Sequence, residues 1–207
     1  MLPPNVDADQ VLQHRSYMKV DEIKWLFPTP ILEFNLQEYL TPEISKSLIN
    51  MGKTDNGLVD GIRGDINPKK LPECKKLYEV FQECVNDYSQ RIGIRNSLIF
   101  DSWMNILTKG GSVGVHRHYD SIISAAFYPY VEPDSADLIF INPLEGFRMM
   151  DANASNSKNN GVYSSNVKPI QPTTGKLVLF PSWIQHYVPT NKSNLRVTLS
   201  FNTRFDR

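Results

Sequence analysis

Three of the four histidines of this chain stand in two short stretches, GVHRHYDS at 114–121 and FPSWIQHYVPT at 180–190. Side chains alternate faces along a β-strand, so residues i and i+2 point the same way. A strand over 113–118 therefore projects His116 and His118 together, with Asp120 following if the strand continues that far. His186 comes 66 residues after Asp120, just behind the run GKLVLFPSW. Imidazole suits iron, zinc and copper, and three protein ligands on one face of an octahedral ion leave three positions open. Ten residues beyond His186, Arg196 opens the run RVTLSF, and on a strand Thr198 and Ser200 share its face. A guanidinium offers a planar fork to a carboxylate, and a hydroxyl beside it can share that anion. A His-x-His pair alone is a weak signal. Joined to a distant histidine and a well-spaced arginine, it describes an ion with a bidentate organic acid beside it.

Such residues need a scaffold that brings distant strands together. From Ser97 onward the chain reads as eight short β-rich runs: SLIFDSWMNIL, SVGVHRHY, IISAAFYPYV, DLIFIN, NGVYSSNVKPI, GKLVLFP, QHYVP and LRVTLSFNTRF. Turn residues separate them and no helical pattern intervenes, which indicates a sandwich or barrel. WLFPTPILEFNL at 25–36 adds an extended segment whose prolines suit an edge strand. Thr41-Pro42 is a helix start, a capping hydroxyl followed by proline, with the helix running to about Met51. GKTDNGLVDGIRGDINPKK is loop by its glycines, asparagines and aspartates. A second helix over 72–91 carries Leu77, Val80, Phe81, Cys84, Val85 and Tyr88 at three- and four-residue steps, a core-facing stripe. Helices first and strands after give an α+β fold, with helices against one side of a jelly roll.

Two segments resist assignment to this frame. Residues 1–24 read as a flexible polar arm, leaving 25–207 as a single domain with a helical part over about 38–92 and a β core over about 97–205. LEGFRMMDANASNSKNNG at 144–161 is too long for a hairpin turn and is either a lid or disordered.

Composition excludes several classes. Twenty-two basic and 22 acidic residues cancel, so there is no clear nucleic-acid signal. No stretch approaches the roughly 18 apolar residues of a membrane span, and the N-terminus lacks the pattern of a signal peptide. Cys74 and Cys84 stand ten positions apart, roughly 15 Å along a helix axis, too far to pair. The chain is expected to be intracellular, in the cytoplasm, with both thiols reduced.

WMNILTKGGSVGVHRHYDSIISAAFYPY, followed by GKLVLFPSWIQHYVPTNKSNLRVTLSFN, resembles the 2-oxoglutarate/Fe(II)-dependent oxygenases. The nearest group is one of bacteria and phages with His-x-His, then Gly-x-Leu-x-x-Phe-Pro-Ser-x-x-x-His and Arg-x-x-x-Ser-Phe-Asn. The resemblance covers about 101–203, and its second half is the specific part. It implies a double-stranded β-helix holding Fe(II), with 2-oxoglutarate as cosubstrate and O2 as oxidant. His116 would be the first ligand and His186 the distal one. His118 falls where the wider superfamily has a carboxylate, while a shifted register would use Asp120 instead. A three-histidine set carries one negative charge fewer. Arg196 matches the partner of the 2-oxoglutarate C5 carboxylate, Ser200 its hydroxyl partner, and Tyr128 the tyrosine of prolyl-hydroxylase-like members. Asn105 would face the iron-proximal end of the cosubstrate, while Trp103 and Trp183 pack. The implied reaction is a dioxygenase's hydroxylation of an aliphatic C–H, on a peptide or protein side chain, with release of succinate and CO2. The rival reading is a cupin-like or zinc-binding jelly-roll module without redox chemistry, since three histidines with open water positions also suit zinc.

Overall fold

The computed structural model describes residues 29–54, 71–144 and 166–205. The expected arm over 1–24, most of the segments 52–70 and 144–161, and the start of NGVYSSNVKPI lie outside the described residues. Thr41 Oγ1 accepts the Ile44 amide at 3.2 Å, and helix α1 (Pro42–Thr54) begins at the proline, as the sequence implies. The second helix, α2 (Lys75–Ile92), is preceded by a 3-10 turn over Pro72–Cys74. It stops at Gly93, whose φ of 72° lets the Ile94 amide turn back to the Ser89 carbonyl at 3.0 Å. Its expected stripe, from Leu77 to Tyr88, is buried. Among the described residues no helix is long and apolar enough to cross a membrane.

Nine strands follow these rules among the described residues: β1 (Leu32–Asn35), β2 (Ser97–Leu107), β3 (Val113–His116), β4 (Ile123–Val131), β5 (Leu138–Ile141), β6 (Val167–Ile170), β7 (Lys176–Pro181), β8 (His186–Val188) and β9 (Arg196–Phe205). They form two antiparallel sheets, ordered β1-β7-β4-β9-β2 and β3-β8-β5-β6. β1 is an edge strand, as its neighbouring prolines suggest. Gly175 (φ 84°) closes the approach to β1: the Leu36 amide bonds its carbonyl at 2.8 Å, and a side chain there would collide with Gln37.

The larger sheet is covered on both faces. One face packs against the helices, where Phe81 of α2 meets Phe127 at 4.9 Å and Phe201 at 5.3 Å between ring centroids. The other faces the smaller sheet across an apolar cluster that includes Leu107, Tyr128, Phe140, Phe180 and Val188. β9 serves both. Val197, Leu199 and Phe201 enter the helix-side core, while Arg196, Thr198, Ser200 and Asn202 line the cavity between the sheets. Period-two alternation on one strand thus assigns apolar residues to stability and polar ones to the site.

Candidate metal centre

The smaller sheet sets two of the histidines opposite one another. His116 and His186 are Cα partners on β3 and β8, while the register shifts between Val113 and His116, where two residues of β3 (Gly114 and Val115) face one of β8 (Tyr187). The expected strand through 118 therefore ends early. Beyond His116 the chain leaves β8, and the His118 amide bonds the Ser182 carbonyl at 2.9 Å. His118 reaches the site from this turn and not from a shared strand face.

Both strand histidines have their outer nitrogen engaged. Nδ1 of His116 lies 2.8 Å from the Gly114 carbonyl, and Nδ1 of His186 lies 3.0 Å from that of Ile184. A carbonyl only accepts, so each Nδ1 carries the proton and each Nε2 keeps a bare lone pair, as a metal ligand requires. His118 Nε2 and His186 Nε2 stand 3.3 Å apart. Two ligands at ~2.1 Å from one ion stand roughly 3.0–3.4 Å apart at octahedral to tetrahedral angles. Ligand atoms of all three residues lie within 4.8 Å of one another, and no other such group occurs among the described residues. Asp120 is not in it. That residue is exposed on a left-handed turn (φ 58°), so the chain's reversal after His118 carries the carboxylate away.

Packing stiffens the cluster. The Trp103 indole stacks on His118 at 5.3 Å, and Phe180 meets His186 edge-on at 4.8 Å. His186 is 4 % exposed. Burial pushes its pKa down to about 4, with the His116 ring acting the same way against the Ile184 carbonyl. The imidazole is thus neutral and available at physiological pH.

The triad opens on a cavity of about 690 Å³ walled by both sheets. Arg196, 1 % exposed, spends Nε on the Ala136 carbonyl (2.9 Å) and Nη1 on Thr198 Oγ1 (2.8 Å). Its Nη2 is buried without a partner, as is the hydroxyl of Tyr128, whose ring lies 5.2 Å beneath the guanidinium. Burial lowers the Arg196 pKa, against the pull of Tyr128 and Asp137. Two orphaned donors on the wall of one cavity are costly unless an acceptor joins them. An organic carboxylate meets that need, so the distal end of 2-oxoglutarate fits here.

Ser200 and Asn105 lie further along the same wall, the Asn105 amide donating to Ser200 Oγ at 3.4 Å. The hydroxyl that touches Arg196 is Thr198, which the sequence marked as a face-sharing residue without giving it a role. The i+2 spacing was the signal. Trp103, the Cα partner of Ser200, is the ring stacked on His118. The row from Arg196 to Ser200 therefore runs towards the histidines. Trp183 is 52 % exposed and so stands at the rim, whereas Trp103 is buried.

Residues 101–202 match the family model described as "Putative 2OG-Fe(II) oxygenase". No curated protein matches the sequence. Among solved structures, the chain is similar to the viral collagen prolyl hydroxylase vCPH from Paramecium Bursaria Chlorella virus-1 in its 2OG complex (TM-score 0.60, 12 % identity, covering 86 % of this chain and 96 % of that one). A prolyl-4-hydroxylase from Pseudomonas putida matches at TM-score 0.56 and 16 % identity, over 86 % of this chain and 94 % of that one. HygX from Streptomyces hygroscopicus, with nickel and 2-oxoglutarate bound, matches at TM-score 0.55 and 10 % identity, over 97 % and 88 %. At these identities the structural likeness speaks for the shared double-stranded β-helix.

Proposed function

We propose, from the premise that the chain belongs to the 2-oxoglutarate/Fe(II)-dependent oxygenases, that it hydroxylates an aliphatic C–H of a peptide or protein side chain. In this reading His116, His118 and His186 hold the iron. Arg196 Nη2 and the Tyr128 hydroxyl receive the C5 carboxylate of 2-oxoglutarate, with Ser200 and Asn105 on the wall between the anchor and the metal. Bound iron and 2-oxoglutarate supply O2 activation coupled to decarboxylation, yielding succinate, CO2 and a hydroxylated product.

The protein's share is orientation. The Gly114 and Ile184 carbonyls hold two imidazoles in the metal-binding tautomer. Arg196 is locked at two of its nitrogens before any ligand arrives, so little side-chain entropy is lost on binding. Leu138, Phe180 and Val188 line the same cavity and keep water from its apolar side. The observation that carries the reading is the coincidence, in one cavity, of three convergent imidazoles with two unpartnered buried donors.

A peptide or protein substrate is supported by the two prolyl hydroxylases among the structural neighbours. We further read residues 25–207 as one catalytic domain behind an arm, acting in the cytoplasm, where two buried free thiols and a ferrous ion persist. The test is conversion of 2-oxoglutarate to succinate by Fe(II)-loaded protein across a peptide panel. Tight zinc with no 2-oxoglutarate binding would replace the proposal with a non-redox zinc module.

A further inference from the structure

One buried polar chain stands outside the roles given so far. Asn202, 4 % exposed, is the next cavity-facing residue of β9 after Ser200. Arg196 anchors one end of that row. Ser200 is paired with the tryptophan that stacks on His118, so Asn202 belongs to the histidine end. Its Oδ1 accepts the Ser124 hydroxyl at 2.7 Å, and the Ser124 and Ser182 hydroxyls stand 2.8 Å apart. Ser124 has one proton and gives it to Asn202, so the proton between the two serines comes from Ser182. Both serines are almost fully buried. The relay from Ser182 through Ser124 turns the Asn202 oxygen into the sheet and leaves its NH2 for the cavity. Ser182 is also the residue whose carbonyl holds the His118 amide. One short turn thus fixes both a triad member and the direction of this carboxamide.

We propose that the Asn202 amide nitrogen donates to the metal-proximal C1 carboxylate of 2-oxoglutarate, with Ser124 and Ser182 as positioning residues that keep it turned there. The inference rests on the cosubstrate reading above. It completes a two-ended grip, with guanidinium and phenol on the distal carboxylate and a neutral amide donor on the proximal one. A neutral donor suits that end. A hydrogen bond to an anion is strong without adding positive charge beside an ion already held by three neutral imidazoles.

The test is calorimetric binding of 2-oxoglutarate to protein loaded with Mn(II), which fills the site without turnover, with Mn(II) affinity measured separately. Asn202→Ala is expected to weaken 2-oxoglutarate about tenfold and Mn(II) hardly at all. Asn202→Asp keeps the acceptor for Ser124 and so preserves the relay, but sets a carboxylate against a carboxylate. Its loss should exceed that of the alanine variant. Ser124→Ala should lose part of the same affinity by freeing the amide to rotate. Binding within twofold of the parent in both Asn202 variants overturns the proposal, and Asn202→Asp decides it alone if the alanine variant fails to fold. Failure of the unaltered protein to bind 2-oxoglutarate overturns the cosubstrate reading itself.

Discussion

The imidazoles of His118 and His186 face one another in parallel planes, 2° apart, with their Nε2 atoms separated by 3.3 Å. One arrives from a turn and the other from a strand, yet each is held by a backbone bond at its base: the His118 amide on Ser182 and the His186 Nδ1 on Ile184. The pair is set by main chain, and that determines what substitution should do.

His118→Ala is expected to lower metal affinity at least tenfold, whereas Asp120→Asn leaves metal stoichiometry unchanged and, because asparagine tolerates a left-handed φ, leaves the fold unchanged too. Metal analysis of both proteins after dialysis against Mn(II) compares them directly. Loss of metal from the Asp120 variant would restore the shifted register.

Tyr128→Phe removes a buried hydroxyl that has no partner. The ligand-free protein should gain roughly 1 kcal/mol of stability, since an unmet polar group is removed. Affinity for 2-oxoglutarate should meanwhile fall about tenfold. Urea unfolding and calorimetry measure these opposite changes, and a hydroxyl without a ligand role would give the first without the second.

Arg196→Leu deletes the proposed distal anchor and is expected to raise the 2-oxoglutarate requirement by about two orders of magnitude or more, through loss of a charge-assisted bond in a buried site. Binding to the Mn(II)-loaded protein reports it, and unchanged affinity would place the carboxylate elsewhere in the cavity.

The pKa of His186, lowered to about 4, makes the metal-free protein acid-sensitive. Between pH 6.5 and 4 the unfolded chain takes up a proton on this residue that the native state refuses. Native stability therefore falls as pH drops through that window, by at most about 3 kcal/mol from this group, and levels off below it. In His186→Gln that contribution is absent. The difference between the unfolding free energies of the metal-free parent and variant should shift by roughly 2 kcal/mol from pH 7 to pH 4.5, and a pH-independent difference would refute the assignment.

Cys74 and Cys84 have pKa values pushed up to about 11, chiefly by burial. Neither should react with a thiol reagent at pH 8 in the native protein, and two equivalents should react in denaturant. Fast native labelling would show that the helical layer opens locally.

Much of the architecture was legible because periodicity is a backbone property. The stripe on α2, the Thr41-Pro42 start and the alternation along β9 each follow from one element read alone. The convergence of His116 with His186 needed the pairing of β3 with β8, which no local pattern reveals. The extent of β3 was misjudged for a similar reason. A bulge depends on how two strands fit, so the sequence did not show that His118 would enter from a turn and leave Asp120 outside. Thr198 was visible as a neighbour of Arg196 by spacing, but its bond to the guanidinium depends on a rotamer. The Ser182–Ser124–Asn202 relay joins the turn after β7 to β4 and β9, which only the folded sheet brings together.

The strand that carries Arg196 on the cavity side also carries Phe201 on the helix side, on alternate residues. Point replacements on either side can therefore be accommodated one at a time, but the strand's length cannot drift. Inserting a single residue after Arg196 would leave the guanidinium in place only by displacing every later position to the opposite side, turning Phe201 into the solvent-lined hollow and Ser200 into oil. Variation in this lineage should then concentrate in side-chain identity along that segment, with gains and losses of sequence confined to the connections at its two ends.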